Sequence, residues 1–182
     1  MKKSIFSILL SFSIYCAYSQ NIYSCDSGII KFRSSALLEL IDANSSALNG
    51  KIDVNKKTFA FVVRIISFKG FNVELQKDHF NENYMESTKY PYATFLGKII
   101  EEIDFSSALS QPVRAKGIIT IHGIEQERII RATIRVTDTS IQVYSKFNVV
   151  LSDHKIKVPK VVHEKIASKI FVEIDADLKK KQ

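Results

Sequence analysis

Apolar and polar residues alternate with a period of two along much of this chain. Residues 127–136 show the pattern most clearly, because isoleucine, alanine and valine side chains share one face and arginine or threonine side chains occupy the other. Successive side chains of a β-strand point to opposite faces, so this pattern predicts strands with one buried face. Residues 141–151 and 170–177 repeat it, whereas residues 58–68 are apolar on much of both faces. The last segment is therefore predicted to be a strand covered on both sides.

Short polar turns separate the predicted strands. His122 and Gly123 lie between two apolar runs and favour a tight hairpin, and residues 137–140 join the next two strands. Many short strands joined by short turns indicate an antiparallel sandwich or a closed barrel rather than alternating strands and helices. Helical spacing of apolar residues occurs in residues 77–86 and 161–169, which are predicted to be short helices.

The predicted interior faces are aromatic and β-branched, with few polar groups. A barrel of about eight strands either fills its interior with side chains or encloses one small ligand. An interior of this composition suits a hydrocarbon and offers little for catalysis, although a filled core would have the same composition. The residues predicted to face the lumen and to contact a ligand are Phe61, Val63, Phe95, Ile134 and Phe147.

The N-terminus has the organisation of a cleavable secretory signal. Lysines at positions 2 and 3 precede an apolar run, residues 4–14, that is too short to span a bilayer as a helix. Small residues at positions 17 and 19 then precede Gln20. We therefore expect residues 1–19 to be removed by cleavage before Gln20, which places the mature protein in the periplasm or outside the cell.

The rest of the chain, residues 20–182, has the length of a single domain. Cleavage removes Cys16, and the remaining Cys25 is expected to pack as a small apolar side chain. The formal net charge of +7 is compatible with a weak contact with an anionic membrane surface. Nucleic-acid binding is not expected, because no basic helix accompanies that charge. The oligomeric state stays open, with a homodimer as one option.

Five motifs follow one another along most of the mature chain. An apolar strand, residues 59–72, leads into an acidic and aromatic segment, residues 75–86. The sequences KYPYATF at residues 89–95 and KGIITIHGI at residues 116–124 come next, followed by a strand and loop at residues 145–159. In this order and spacing the motifs resemble those of the YceI-like family of extracytoplasmic lipid-binding proteins.

This resemblance implies a lipocalin-like antiparallel β-barrel whose lumen holds a long isoprenoid chain. We therefore expect a mainly β fold with about eight strands and one or two short helices. The resemblance also implies that the protein binds or carries an apolar lipid, a polyisoprenoid or a quinone among the candidates. We expect no catalytic residues, no metal and no cofactor.

Two aromatic residues of the predicted helix 77–86 lie four positions apart, Phe80 and Tyr84, and therefore share one face of it. The simpler interpretation is that they anchor the helix to the barrel. A compatible and more specific interpretation makes them, together with Phe71, the gate of a ligand tunnel.

Two other functions stay open at this point. A hydrolase or metal-dependent enzyme would use His79, His122 or Asp78, although a single histidine beside acidic residues is weak evidence for a zinc site. His122 is expected to make local hydrogen bonds in its turn, and His154 and His163 are expected on the surface. A barrel filled with side chains would instead be a structural module of the cell envelope.

Overall fold

The computed structural model describes residues 21–180, which form eight antiparallel strands. The strands are β1 (Ile22–Ser35), β2 (Leu40–Asp53), β3 (Thr58–Arg64), β4 (Tyr92–Ile99), β5 (Ser110–Ile121), β6 (Ile124–Val136), β7 (Ser140–Val150) and β8 (Lys169–Lys180). Each strand pairs with the next, and β8 pairs with β1, so the sheet closes into a barrel. The predicted mainly β barrel is confirmed, and the sandwich is excluded. The predicted signal peptide, residues 1–19, lies outside the described residues.

The helical segments are short and connect β3 to β4 and β7 to β8. Helix α1 (Glu74–His79) continues directly into a π-helical turn (Phe80–Tyr84), and together these form what we call the cap helix, residues 74–84. It lies close to the helix predicted at residues 77–86. Three 3₁₀ turns complete the set: Ile65–Ser67, Leu151–His154 and Lys160–Val162.

The prediction of a second helix at residues 161–169 is wrong. After the 3₁₀ turn that ends at Val162 the chain is irregular until β8 begins. The carbonyl groups of Glu164 and Ser168 accept hydrogen bonds from the amides of Leu38 and Leu151, at 2.8 and 2.9 Å. Because these carbonyls bond to neighbouring segments, they are not available for the next turn of a helix.

The two ends of the barrel carry different connections. The upper end holds the β1–β2 turn, the cap helix, the β5–β6 turn and residues 151–168. The lower end holds residues 54–57, 100–109 and 137–139. The long connections therefore all lie at the upper end except residues 100–109.

Buried side chains fill the lower half of the barrel. Those with almost no exposed surface include Ile52, Ile134, Ile141 and Leu178. The strands that supply them alternate buried and exposed residues, so a shift of one residue in register would expose this core. The lower half is thus a packed hydrophobic core.

The ladder between β6 and β7 covers only the lower half of the barrel. Their pairing extends from Val136–Ile141 only to Ala132–Ser145. Above it, side chains bridge the strands to the opposite backbone: Arg128 Nη2 donates to the Asn148 carbonyl at 3.1 Å. A hydrogen bond between side chain and backbone spans a wider gap than a ladder of backbone hydrogen bonds, so the two strands are farther apart in the upper half than in the lower half.

Cys25 packs in β1 as the sequence predicted. Its Sγ lies 3.8 Å from the Leu48 carbonyl oxygen, and the residue is half-buried. Burial raises the pKa of the Cys25 thiol. The thiol is therefore protonated near neutral pH and behaves as a small apolar group.

Candidate functional site

A cavity of about 470 Å³ occupies the upper half of the barrel. Side chains from every strand except β6 form its walls, and the cap helix and the segment around Ile156 and Ile166 surround its upper end. The lining is overwhelmingly apolar. A cavity of this size and lining can hold a hydrocarbon chain without supplying hydrogen bonds to it.

Four of the five residues predicted to face the lumen line this cavity: Phe61, Val63, Phe95 and Phe147. Phe95 pairs with Phe61 across β3 and β4, and its ring lies 4.8 Å from that of Phe59, a buried residue of the core. That these side chains contact a ligand stays a prediction.

Ile134 does not line the cavity, which corrects its predicted place beside the other four. It is 2% exposed and packs within the core of the lower half, where it pairs with Val143 of β7. Period-two alternation identifies the inner face of a strand but not the height of a residue along the barrel. The prediction for Ile134 therefore had the correct face and the wrong depth.

The three residues predicted as a gate lie at the upper end of the cavity: Phe71, Phe80 and Tyr84. The Phe80 ring is the centre of an aromatic cluster, with centroid distances of 5.3 Å to Phe32, 5.8 Å to Phe68 and 5.2 Å to Phe71. These contacts anchor the cap helix on β1 and on the segment after β3. Gating itself stays a prediction.

Phe32 and Phe68 also belong to this cluster, although neither was among the predicted site residues. Phe32 lies between Ile30 and Ser34 in a stretch of β1 with its own period-two alternation, and that signal was sufficient to find it. Phe68 follows a 3₁₀ turn rather than continuing a strand, so no periodicity marks it.

Polar groups of the lining gather at the mouth of the cavity. Glu39 in the β1–β2 turn accepts a hydrogen bond from the side-chain amide of Gln76 in the cap helix. His79 and Lys165 also line the mouth. A bound molecule would therefore meet apolar walls inside and hydrogen-bonding or charged groups only at its exposed end.

His122 contacts Glu86, two residues after the end of the cap helix. Its Nε2 lies 2.6 Å from Glu86 Oε2, and its Nδ1 lies 3.2 Å from the His154 carbonyl oxygen. A carbonyl only accepts, so Nδ1 carries a hydrogen, and Nε2 lies within hydrogen-bonding distance of the Glu86 carboxyl group. Local hydrogen bonding by this residue was expected from the sequence.

The backbone at this contact requires left-handed conformations. His122 and Gly123 have φ of 52° and 69°, the geometry of a two-residue hairpin turn, and Glu86 has φ of 42°. A Cβ added to Gly123 would lie 2.5 Å from the Tyr90 ring. The turn at His122 and Gly123 is thus packed closely against Glu86 and Tyr90.

Comparison with models of protein families shows which family the chain belongs to. The model of the YceI-like domain matches residues 29–178, well over half of the chain. The chain belongs to the YceI-like family. No curated protein matches it.

Solved structures share the fold of this YceI-like protein. A polyisoprenoid-binding domain from Saccharophagus degradans, implicated in plant cell wall breakdown, has a TM-score of 0.75 at 13% identity, covering 89% of this chain and 99% of that one. BcnA of Burkholderia cenocepacia has a TM-score of 0.68 at 13% identity, with coverage of 83% and 94%. A YceI protein of Campylobacter jejuni has a TM-score of 0.56 at 16% identity, with full coverage of both chains. At these identities the likeness establishes the fold alone.

His154 of this YceI-like protein is fully buried, so its predicted place on the surface is wrong. It lies in the 3₁₀ turn above β7 and is packed beside the β5–β6 turn, where its Nδ1 donates to the Ile124 carbonyl at 3.2 Å. Its Nε2 has no hydrogen-bond partner among residues 21–180. Burial lowers the pKa of the His154 imidazole, which keeps it neutral. His163 is exposed, as expected.

The residues considered for catalysis do not form a common site. His79 lies at the cavity mouth and Asp78 is exposed on the cap helix, whereas His122 contacts Glu86 and the His154 carbonyl. In the described part of the chain, no three histidine, cysteine or acidic side chains are grouped as metal ligands. None of the helices in that same part is both long enough and apolar enough to cross a membrane.

Proposed function

We propose that this protein binds one long apolar molecule in the upper half of the barrel and carries it outside the cytoplasm, without catalysis. The observation that carries the proposal is the apolar cavity of about 470 Å³ in a YceI-like barrel. The structurally similar domain of Saccharophagus degradans is polyisoprenoid-binding, which favours an isoprenoid or quinone over other lipids. The signal-like N-terminus favours the periplasm or the cell exterior.

The cavity volume sets the length of chain that can be enclosed. An apolar cavity of about 150 Å³ accommodates benzene, or about 25 Å³ per carbon atom. At that packing, 470 Å³ holds about 19 carbon atoms, equivalent to about four isoprene units. Longer chains would protrude from the mouth, because the packed core closes the lower half.

The distribution of polar groups sets the orientation of the ligand. Its chain would lie against Phe61, Phe95 and Phe147, where contact with water is removed. A polar end would lie at the mouth, close to His79 and Lys165. The opposite orientation would bury a hydroxyl or quinone oxygen among side chains that offer it few hydrogen bonds, which is unfavourable.

Organic extraction of protein isolated from its own cell envelope, followed by mass spectrometry, tests the proposal directly. We expect one class of apolar molecule at close to one equivalent per chain. In parallel, retinol fluorescence measures binding of an isoprenoid alcohol. Failure to recover any lipid, combined with no saturable binding of retinol, would contradict the proposed function.

A blocking variant shows whether the cavity is the binding site. Ala93→Phe places a ring among the lining residues, and a ring occupies about a third of the 470 Å³. We expect a loss of retinol affinity of at least about tenfold. Leu96→Phe, on the exposed face of the same strand, is the matched control and should bind normally.

The chain-length estimate has its own test. Competition by farnesol, geranylgeraniol and solanesol compares shorter, matching and longer isoprenoid alcohols in the same retinol assay. Affinity should rise up to geranylgeraniol and then level off. A continued increase with solanesol would show that the lower half opens to admit a longer chain.

A further inference from the structure

Large apolar side chains surround the cavity mouth on the outside of the molecule. They come from the β1–β2 turn, from the start of the cap helix and from the segment before β8. We define this surface as the rim, and its residues are Leu37, Leu38, Val73, Leu75 and Val161. Leu37 is 82% exposed, Leu38 64% and Val161 90%. Single exposed apolar residues are ordinary on proteins, whereas a group at one end indicates an interaction surface.

Hydrogen bonds between the three segments make the rim one continuous surface. The Leu38 amide donates to the Glu164 carbonyl at 2.8 Å, which joins the β1–β2 turn to the segment before β8. Asn72 Nδ2 donates to the Leu40 carbonyl at 3.0 Å, which joins the first residue of β2, directly after that turn, to the residues just before the cap helix. The exposed apolar groups are therefore held together and are not scattered on independent loops.

Positive charge lies on one side of the rim. Between β7 and β8 the chain carries Lys155, Lys157, Lys160 and Lys165, all exposed, against Asp153 and Glu164. Among residues 21–180, none of these four lysines is engaged in an ion pair within 4 Å. The cap helix differs, because its Lys77 pairs with Glu74. Unpaired lysines beside exposed leucine and valine are the combination that interfacial membrane-binding surfaces use.

We propose that the rim docks onto the surface of an anionic lipid bilayer. The leucine and valine side chains enter the interfacial region, and Lys157 and Lys160 contact the lipid headgroups. Docking in this way points the cavity mouth at the membrane, so that a chain leaving the barrel enters lipid rather than water. That last consequence rests on the proposed function, whereas docking itself does not and is measured without a ligand.

A tryptophan placed on the rim reports docking, because the chain contains no tryptophan of its own. We expect Leu37→Trp to shift its emission to shorter wavelength and to be quenched by brominated lipids in phosphatidylglycerol–phosphatidylcholine vesicles. Leu109→Trp is the matched control, since Leu109 is 75% exposed in the lower-end connection. Its emission should not change. Equal quenching at both positions, or at neither, would overturn the proposal.

Vesicle sedimentation of variants measures separately the apolar and the electrostatic contributions to docking. Leu37→Ser should weaken binding by about tenfold, because a buried leucine is lost. Lys157→Gln and Lys160→Gln should each weaken it by about fivefold, and added salt should remove that difference. Lys51→Gln and Lys98→Gln, on exposed positions of the barrel wall nearer the lower end, should have little effect.

Two results would assign the rim differently. Binding to phosphatidylcholine alone that equals binding to the anionic vesicles would remove the role of the lysines. A concentration-dependent dimer that Leu37→Ser dissociates would show that a second copy of the chain covers the rim, and would overturn membrane docking. Retinol binding serves as the separate readout of the proposed function, and the Leu37 and Lys157 variants should retain it, since neither residue lines the cavity.

Discussion

Removal of the Phe80 ring tests how the cap helix is held over the cavity. Phe80→Ala deletes the ring that contacts Phe32, Phe68 and Phe71 at centroid distances between 5.2 and 5.8 Å. Aromatic pairs contribute about 0.5–1.5 kcal/mol each, so three pairs correspond to about 1.5–4.5 kcal/mol. We therefore expect Phe80→Ala to lower the free energy of unfolding by about 1.5–4.5 kcal/mol.

The same substitution should accelerate ligand release. If the aromatic cluster holds the cap helix closed, even the lower limit of about 1.5 kcal/mol corresponds to a dissociation rate about tenfold higher. Stopped-flow dilution of the retinol complex measures this rate, and urea unfolding of the free protein measures stability. The association rate should increase as well, because the same opening admits the ligand.

Phe105→Ala is the matched control for Phe80→Ala. Phe105 is also partly buried against the core, but it lies in the lower-end connection away from the cavity. It should lower stability without changing the retinol dissociation rate. An unchanged dissociation rate in Phe80→Ala, or the same acceleration in Phe105→Ala, would refute the assignment of Phe80 as part of a gate.

Three further substitutions test the packing at the upper end. Gly123→Ala should lower the free energy of unfolding in urea by about 1–3 kcal/mol, because φ is 69° and a Cβ would meet the Tyr90 ring; an unchanged midpoint would contradict this. Burial lowers the pKa of His154, so below pH about 6.5 the unfolded state binds more protons than the folded state. The free energy of unfolding should therefore decrease as the pH is lowered, by up to about 1.4 kcal/mol per pH unit. Thermal unfolding of His154→Leu across the same range should show a smaller pH dependence, and an equal slope would contradict the assignment. Glu86→Gln weakens the contact with His122 and should therefore speed retinol release by loosening the end of the cap helix. A release rate equal to that of the wild type would show that this contact does not hold the cap helix in place.

Local pattern determined much of the strand content of this protein. The inner faces of β3, β4 and β7 were predictable, because whether Phe61, Phe95 or Phe147 points inward depends on its neighbours along the strand. The hairpin at His122 and Gly123 was predictable for the same reason, since two-residue turns have a strong local preference. Beyond the strands and turns, the motifs that resemble the YceI-like family also predicted the closed barrel and an apolar lipid as the class of ligand.

Tertiary structure alone decided which part of the barrel is hollow. Closure depends on the pairing of Tyr23 with Lys180, two residues at opposite ends of the described chain. The depth of Ile134 depends on the limited β6–β7 pairing, and the burial of His154 depends on a turn more than 20 residues away. These contacts are non-local, so no window of sequence contains them. Sequence periodicity therefore determined the inner face of each strand, whereas strand pairing and separation determined where that face packs and where it surrounds a cavity.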